Sequence, residues 1–387
     1  MRIFILAGEP SGDKLGADLM ESLQTLRPDV EFVGIGGEGM IAQGLDPLFP
    51  MEEIAIMGIT EILKEYSKLK ARIRETADFI LREKPDLVIT VDLPEFSLRV
   101  NKLVRAASDI RIVHYVAPSV WAWRPGRAKK MAPYVDQVLA LLPFEPPYME
   151  AEGMRCDFVG HPIAAEPVAT QADAGAFRAE IGAENREILL ILPGSRRSEI
   201  ARMAPVFSDT LAQIVAERPD LKCVLPAASS VVNEVKEAVA HWPVDVTLID
   251  PFEDPQGDRK RAAFAAADGA LATSGTVSLE LAANETPMVI AYKTSWLTQM
   301  IIMPMLKVSS VNLVNLVAET EIIPEFLGKD CVPEKLTKAV IGLLDAPDAQ
   351  RDAMRLCMQR LGKDGAMRPG DLAAQAVLDG IVQARRV

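Results

Sequence analysis

The chain has 387 residues, of which 49% are hydrophobic and 25% are charged, and its formal net charge is −12. This length predicts two domains with separate cores. The negative charge argues against nucleic acid as a partner, because general nucleic-acid binding uses a basic domain. The four cysteines stand far apart without Cys-x-x-Cys or Cys/His clustering, so buried free thiols are predicted rather than disulfides or a zinc site.

The longest apolar stretches, such as 300–306, are far shorter than the roughly 20 residues that span a bilayer. The first residues enter a strand without a signal-peptide pattern, which predicts a cytoplasmic protein. Two runs in the N-terminal half are basic, 64–74 and 124–130. One such run is explained by a solvated helix face, but two in one half indicate an anionic partner.

Apolar strands alternate with helical patterns through the first half of the chain. Strands are predicted at MRIFILA, EFVGIGG, DLVITVD, RIVHYVA and QVLALLP, and helices at 14–26, 59–83 and 96–107. Continuous apolar runs of this kind are typical of parallel strands that are covered on both faces. The first half therefore predicts a doubly wound α/β domain.

Residues 162–176, PIAAEPVATQADAGA, lack a periodic apolar pattern and predict a linker. The alternation then resumes, with strands at EILLILPG, KCVLPAA, VTLID, GALATSG and PMVIAYK and helices at 203–217, 231–240, 259–266 and 277–283. The predicted fold class is α/β, with two Rossmann-like doubly wound domains that face a cleft. We place these domains at 1–165 and 166–365, followed by a C-terminal helix at 366–387 that packs back on the N-terminal domain.

The turn GEPSGDKLG follows the first strand, where α/β proteins often bind a phosphate. It carries Glu9 and Asp13, which would repel a phosphate, and its spacing fits neither GxGxxG nor GxxxxGK[ST]. Asp92, in TVDLPEF, ends a later strand, where open α/β sheets place functional residues. A carboxylate that shares a cleft with Glu9 and Asp13 suits a general base, because neighbouring negative charge and partial burial raise its pKa, whereas a helix N-cap is the structural alternative.

Two turns of the second half, in LPGSRRSEI and ATSGTVSLELA, indicate an anion site. The residues that they contribute are Gly194, Ser195, Arg196, Ser274, Gly275, Thr276 and Glu280. Helix N-termini reinforced by the Arg196 guanidinium suit a diphosphate, and Glu280 suits ribose hydroxyls. Either turn alone is explained by a surface turn or by helix capping, but together they favour a nucleotide.

The stretch HYVAPSVWAWRPGR is dense in aromatic residues for a chain that is 5% aromatic. Trp121 and Trp123, followed by Arg124, fit stacking on a sugar or contact with a membrane interface, and a packed loop is the structural alternative. His114 and His161 near strand ends are interpreted as structural residues, and His241 as a surface residue.

Six blocks of the chain, AGEPSGDKLGA, VDLPEF, HYVAPSVWAWR, FVGHP, LPGSRRSEI and TSGTVSLE, occur in an order and spacing that resemble the lipid-A-disaccharide synthases. The resemblance covers essentially the whole chain. It implies an inverting glycosyltransferase with the two-domain B-type fold. The implied reaction transfers 2,3-diacylglucosamine from UDP-2,3-diacylglucosamine to the 6-hydroxyl of 2,3-diacylglucosamine 1-phosphate, which gives UDP and the β-1,6-linked disaccharide of lipid A.

The resemblance also implies roles for individual residues. Asp92 is the candidate base, and Glu9 and Ser11 belong to the acceptor-side turn. UDP would be held by Arg196, Ser274, Gly275, Thr276, Glu280 and Asn315. The family commonly has a Ser-Leu-Pro-Asn run where this chain has Asn312-Leu313-Val314-Asn315, so Asn312 is a second candidate for the asparagine contact.

Neither a cofactor nor a metal is expected. The anion turns lack a neighbouring DxD pair and the chain lacks a His/Cys cluster, whereas Arg196 and two helix N-termini can offset the charge of the diphosphate.

Because both implied substrates carry acyl chains, we expect a peripheral protein on the inner face of the inner membrane. The contact would use the stretch 300–306 and the N-terminal half, where apolar residues precede the basic run 64–74. These apolar residues are Ile54, Ile56, Met57, Ile59, Ile62 and Leu63. Two other functions stay open, a UDP-N-acetylglucosamine 2-epimerase, which needs no acceptor, and a nucleotide-dependent membrane adaptor. A homodimer also stays open.

Overall fold

The computed structural model describes residues 1–55, 59–122, 126–293 and 310–384. The strands in these ranges are β1 (Arg2–Ala7), β2 (Glu31–Ile35), β3 (Asp46–Pro47), β4 (Leu87–Val91), β5 (Arg111–Tyr115), β6 (Gln137–Ala140), β7 (Arg155–Phe158), β8 (Ile188–Leu192), β9 (Lys222–Pro226), β10 (Val246–Ile249), β11 (Gly269–Ala272), β12 (Met288–Tyr292) and β13 (Glu325–Leu327).

The α-helices in these ranges are α1 (Pro10–Leu26), α2 (Glu38–Ala42), α3 (Ile59–Glu83), α4 (Pro94–Ala107), α5 (Gly126–Met131), α6 (Pro146–Glu150), α7 (Gln171–Glu180), α8 (Arg197–Glu217), α9 (Val232–Val239), α10 (Asp258–Ala266), α11 (Val277–Ala283), α12 (Leu313–Ala318), α13 (Pro333–Asp345), α14 (Asp348–Arg360) and α15 (Pro369–Ala384). Helices α3 and α11 have the bounds that the sequence predicts. Helices α13 and α14 occupy 333–360, where no element was predicted.

The chain divides into two compact units. Unit 1 comprises Met1–Ala165 and Asp364–Val387, and unit 2 comprises Glu166–Lys363. Helix α15 belongs to unit 1 and packs against α1, where the Ser22 hydroxyl donates a hydrogen bond of 2.8 Å to Asp371.

The sheet of unit 1 has seven strands in the order β3-β2-β1-β4-β5-β6-β7, and every neighbouring pair is parallel. Alternate residues of a strand point to opposite faces, so Phe4 and Leu6 join one core cluster while Ile3 and Ile5 join another. Both faces are therefore covered, which explains why the strands are apolar without alternation.

The sheet of unit 2 has six parallel strands in the order β10-β9-β8-β11-β12-β13. In each sheet the first strand of the unit lies in the interior. The next two strands lie on one side of it, and the remaining strands lie on the other side. This is the Rossmann strand order, with a switch point between β1 and β4 in unit 1 and between β8 and β11 in unit 2. The two predicted parallel α/β domains are confirmed.

The predicted linker at 162–176 is wrong over much of its length. Residues Pro162–Ala165 form a 3-10 helix, and α7 begins at Gln171. A capping box starts α7, because the Thr170 hydroxyl accepts from the Asp173 N–H at 3.2 Å while the Asp173 carboxylate accepts from the Thr170 N–H at 2.9 Å. Alanine-rich helices show little apolar contrast, so the periodic pattern was weak.

All four cysteines are buried and free, as predicted. Among the histidines, His114 is buried against the Thr90 hydroxyl at 2.8 Å, and His241 is exposed.

A buried carboxyl group holds the loops that follow β5 and β6. Glu145 is 3% exposed and accepts hydrogen bonds from the Trp121 indole N–H at 3.2 Å and from the Leu142 N–H at 3.0 Å. Trp121 also packs edge-on against Phe144, with ring centroids 5.1 Å apart. Trp121 is therefore part of a packed loop, which is the structural alternative, while Trp123 and Arg124 lie outside the described residues. Burial raises the pKa of Glu145 to about 7.

This raised pKa predicts a dependence of stability on pH. Between about pH 4.5 and 7 the folded state retains a proton at Glu145 that the unfolded chain has released, so stability is lost as the pH rises through this window. The loss is about 3 kcal/mol, since one pKa unit corresponds to about 1.4 kcal/mol. We expect urea denaturation to show that, over this pH window, the free energy of unfolding of the wild type falls by this amount relative to that of Glu145→Gln. A difference between the two proteins that does not change with pH would contradict the raised pKa of Glu145.

Candidate active site

The structure brings the two predicted functional turns of unit 1 together at its switch point. Strands β1 and β4 are parallel neighbours with Ala7 opposite Val91, so the turns that follow them leave the same edge of the sheet. The turns are in contact, because a Cβ atom built on Gly8 would lie 2.2 Å from the Leu93 Cδ2 atom. Glu9 is half-buried and Ser11 is exposed at the start of α1.

The backbone at Asp92 adopts a conformation that is unfavourable for most residues. Asp92 has a φ of 50° and Leu93 a φ of 45°, both in the left-handed region. Two hydrogen bonds hold this turn, one from the Asp92 N–H to the Tyr115 carbonyl at 2.9 Å and one from the Ser97 hydroxyl to the Asp92 carbonyl at 2.8 Å. Local strain of this kind is concentrated at functional sites.

Burial raises the pKa of the Asp92 carboxyl group, and a hydrogen bond from the Leu93 N–H opposes that rise. The expected effect of partial burial is confirmed, whereas the charges of Glu9 and Asp13, the other expected cause, do not contribute to the shift. Leu93, rather than Asp92, is the N-cap of α4. Asp92 is therefore not a helix N-cap, which was the structural alternative to a role as general base.

Asp13 has a different role from the one its position in GEPSGD suggests. Its carboxylate accepts hydrogen bonds from the N–H groups of Gly37 at 2.7 Å, Gly39 at 2.9 Å and Met40 at 3.1 Å. It is only 8% exposed. Asp13 thus binds the start of α2 and ties the first turn of unit 1 to the segment that follows β2.

Unit 2 contains a pocket of about 390 Å³ at its own switch point, between the turns that follow β8 and β11. All seven residues predicted from the two turns line it, namely Gly194, Ser195, Arg196, Ser274, Gly275, Thr276 and Glu280. Thr276 is the N-cap of α11, but its hydroxyl makes no capping bond. Helix capping therefore does not account for this side chain.

The Glu199 carboxylate binds backbone N–H groups of the first turn, the one that follows β8. Its carboxylate accepts from the Ser195 N–H at 3.0 Å and from the Arg196 N–H at 3.3 Å. Gly194 has a φ of 120°, and a Cβ atom there would lie 2.6 Å from the Glu199 carboxylate. The expectation that these N–H groups face a phosphate is corrected, because an internal carboxylate already binds them. The i to i+3 spacing from Arg196 to Glu199 was the sequence signal for this cap.

Lys260 is a pocket residue that the sequence interpretation missed. Its ammonium group lies 2.6 Å from the Glu280 carboxylate and 5.3 Å from the centroid of the Phe264 ring. The ion pair fixes Glu280 and brings a positive charge to the pocket wall beside the second turn. The signal was weak, since Lys260 stands in a charged run on α10 that is typical of a solvated face.

Both candidate asparagines are buried and hydrogen-bonded within unit 2. The Asn312 side chain caps α12 by accepting from the Val314 N–H at 2.6 Å. The Asn315 amide accepts from the Ile323 N–H at 3.0 Å and donates to the Glu325 carboxylate at 3.0 Å. Neither lines the pocket, so a nucleotide contact by Asn315 stays a prediction.

In the described ranges there is no group of three or more His, Cys, Asp or Glu side chains that could hold a metal ion. Nor does any helix of the described part have the length and apolar character needed to cross a membrane.

Comparison with known proteins identifies the family. The model of the lipid-A-disaccharide synthetase family matches residues 3–376. The chain is 57% identical over 382 residues to the lipid-A-disaccharide synthase of Ruegeria pomeroyi, covering 98% of this chain and 95% of that one. This chain belongs to the lipid-A-disaccharide synthase family. It is also 44% identical to the synthase of Rhodospirillum centenum, over 98% of this chain and 95% of that relative. The chain is therefore a glycosyltransferase of lipid A biosynthesis.

Solved structures with the same fold include the UDP-GlcNAc 2-epimerase of Neisseria meningitidis bound to UDP-GlcNAc. It shares 13% identity and a TM-score of 0.64, with 99% of this chain and all of that chain covered. Anabaena HepE in complex with UDP-glucose shares 14% identity and a TM-score of 0.55, over 98% of this chain and 99% of that one. At such identities the likeness concerns the fold alone.

The role of Asp13 leads to a prediction about stability. In Asp13→Asn one of the two acceptor oxygens becomes an NH2 group that faces an N–H donor. We expect the free energy of unfolding to fall by about 2–4 kcal/mol, since hydrogen bonds to a charged group contribute about 1.5–3 kcal/mol each. The exposed Asp46→Asn serves as the control, with an expected change within about 0.5 kcal/mol. Equal denaturation curves for the two variants would contradict the role.

Proposed function

We propose that this enzyme transfers 2,3-diacylglucosamine from UDP-2,3-diacylglucosamine to the 6-hydroxyl of 2,3-diacylglucosamine 1-phosphate. The products are UDP and the β-1,6-linked lipid A disaccharide. One observation carries the proposal: Asp92, whose pKa is raised by partial burial, lies in a strained turn at the switch point of a chain whose family is named for this disaccharide. The epimerases share only the fold with this chain.

Asp92 would act as the general base. Its carboxylate takes the proton from the 6-hydroxyl as that oxygen attacks the anomeric carbon of the donor. The bond between this carbon and the diphosphate breaks, its electron pair leaves with UDP, and the configuration inverts. Burial supports this role because a carboxylate with a raised pKa is a stronger base. Glu9 and Ser11 belong to the adjoining turn and would contact the acceptor.

The pocket of unit 2 would hold UDP. Arg196 and Lys260 supply positive charge, and Glu280 supplies an acceptor for ribose hydroxyls. Because Glu199 binds the N–H groups of the first turn, we assign the diphosphate to the Arg196 guanidinium, the Lys260 ammonium group and the second turn. These groups would stabilise the charge that develops on the leaving UDP without a metal ion.

Mass spectrometry of the products tests the reaction. The enzyme incubated with UDP-2,3-diacylglucosamine and 2,3-diacylglucosamine 1-phosphate should yield UDP and the disaccharide phosphate. An epimerase would instead convert UDP-N-acetylglucosamine without an acceptor, and a membrane adaptor would form no new glycosidic bond.

Replacement of the base gives a kinetic prediction. In Asp92→Asn we expect kcat to fall by about two to four orders of magnitude, the range for a lost general base, with UDP affinity nearly unchanged. Because burial raises the pKa of Asp92, wild-type activity should decline on the acid side at a pH above the usual range of an aspartate. The variant should lack this decline. Near-normal turnover of Asp92→Asn would show that Asp92 is not the general base.

The enzyme would contact the membrane peripherally through unit 1, but the structure changes which residues can contribute. Ile54 is 2% exposed and belongs to the core, so it is withdrawn from the predicted apolar surface. Glu53 pairs with Lys68 at 3.5 Å and with Arg72 at 2.6 Å, which neutralises part of the basic run. The stretches 56–58 and 300–306, and the side chains of 59–66, lie outside the described residues.

Lys70 and Arg74 remain as exposed cations of this run for which the described residues supply no ion-pair partner. Each basic residue near an anionic surface contributes on the order of 1 kcal/mol, so Lys70→Glu with Arg74→Glu should lower liposome binding at low salt by about tenfold or more. Flotation with anionic liposomes measures this effect. Lys338→Glu, an exposed lysine of unit 2, is the control. An unchanged bound fraction in the double variant would contradict a contribution of Lys70 and Arg74 to membrane binding.

A further inference from the structure

A groove with an excess of positive charge is lined by α4, the helix that follows the Asp92 turn in unit 1. It has a volume of about 580 Å³ and runs between α4 and the segment that contains α5. We call it the cationic groove and define it by Glu95, Arg99, Lys102, Arg127 and Lys130. Two of these residues, Arg127 and Lys130, belong to the second basic run, which the nucleotide pocket does not use.

The charges of the groove are not balanced by its own carboxylate. Glu95 pairs with Arg127 at 2.9 Å and with Arg99 at 3.4 Å, which holds both guanidinium groups at the groove. Lys102 and Lys130 are exposed and have no ion-pair partner in the described part of the chain. Four cations therefore face one carboxylate in a chain whose net charge is −12. Such an excess favours an anionic ligand with several acceptor oxygens.

The groove is connected to the catalytic turn through α4. Its wall begins at Pro94 and Glu95, directly after the turn formed by Asp92 and Leu93. The charge of Arg127 also reaches the strand beside β4, because it adds to the effect of burial that lowers the pKa of His114 to about 4. A ligand at this end of the groove thus contacts residues that lie two and three positions after Asp92, the proposed base.

The lining also fits a sugar phosphate better than an inorganic ion. Leu98 and Tyr134 add apolar surface beside the cations, and the volume lies within the range of small-molecule sites. A sugar ring can pack on such a surface while its phosphate contacts the basic side chains. The acceptor of the proposed reaction is itself a sugar 1-phosphate.

We propose that the cationic groove binds the phosphate monoester of the acceptor sugar and thereby presents its hydroxyl group to Asp92. This proposal rests on the proposed function for the identity of the acceptor. It makes Lys102 and Lys130 specificity-determining residues, because they recognise a terminal phosphate monoester, whereas the phosphate on the anomeric carbon of the donor is part of a diphosphate esterified to uridine. A dianionic monoester gains more from this excess of charge than a monoanionic phosphodiester of the bilayer does.

The experiment compares two acceptors in neutral detergent micelles, 2,3-diacylglucosamine 1-phosphate and the same sugar without its phosphate. The wild type should prefer the phosphorylated acceptor in kcat/KM. Lys102→Ala with Lys130→Ala should lower kcat/KM for that acceptor by about tenfold to a hundredfold, the size expected for lost charge-assisted hydrogen bonds. Turnover of the unphosphorylated sugar and the KM for the donor should stay unchanged. Lys129→Ala is the matched control, since Lys129 is exposed on α5 but does not line the groove.

An equal loss of kcat/KM with both acceptors would overturn the proposal. A loss that occurs only when anionic phospholipid vesicles replace the micelles would also overturn it, because it would assign the groove to bilayer lipids.

A second measurement does not depend on turnover. Titration of the full chain with glucosamine 1-phosphate and with glucosamine should show binding of the phosphate that the double variant loses. If the wild type forms no disaccharide yet binds the phosphate in this way, the proposed reaction fails and the groove assignment stands. If it binds both sugars equally, the groove assignment fails.

Discussion

The strand order of the two parallel sheets determines where this molecule can place its functional groups. At the switch point the crossover connections of neighbouring strands leave on opposite faces, so the chain cannot fill the edge of the sheet between them. The open edge lies between β1 and β4 in unit 1 and between β8 and β11 in unit 2. Polar residues placed in the following turns therefore converge, although they are separated by about 80 residues in each sequence half.

Internal carboxylates stabilise both of these edges. Asp13 binds three N–H groups at the start of α2, and Glu199 binds two N–H groups before α8. In each case a helix N-terminus receives its negative charge from the chain itself. The turns are thereby held without a ligand. The proposed base, Asp92, lies at the edge of unit 1, and the proposed diphosphate ligands, Arg196 and Lys260, lie at the edge of unit 2.

The two units differ in the electrostatic role of their edges. In unit 1 the edge presents a carboxyl group whose pKa is raised by burial, and the helix that follows it lines a groove with excess positive charge. In unit 2 an ion pair between Lys260 and Glu280 supplies both signs in one pocket. The first arrangement suits proton abstraction from an anionic acceptor, and the second suits a nucleotide whose diphosphate and ribose require opposite charges.

Local sequence patterns were enough to predict the two α/β domains and seven of the residues that line the pocket of unit 2. Apolar strands and the turns that follow them are local signals, and the edge of a parallel sheet brings such turns together. The partner that each polar side chain takes, by contrast, is set by the three-dimensional fold. Asp13 could bind a substrate or a backbone, and its N–H partners lie more than 20 residues away. Lys260 finds Glu280 across a similar separation. These choices depend on distances between segments, which local patterns do not contain.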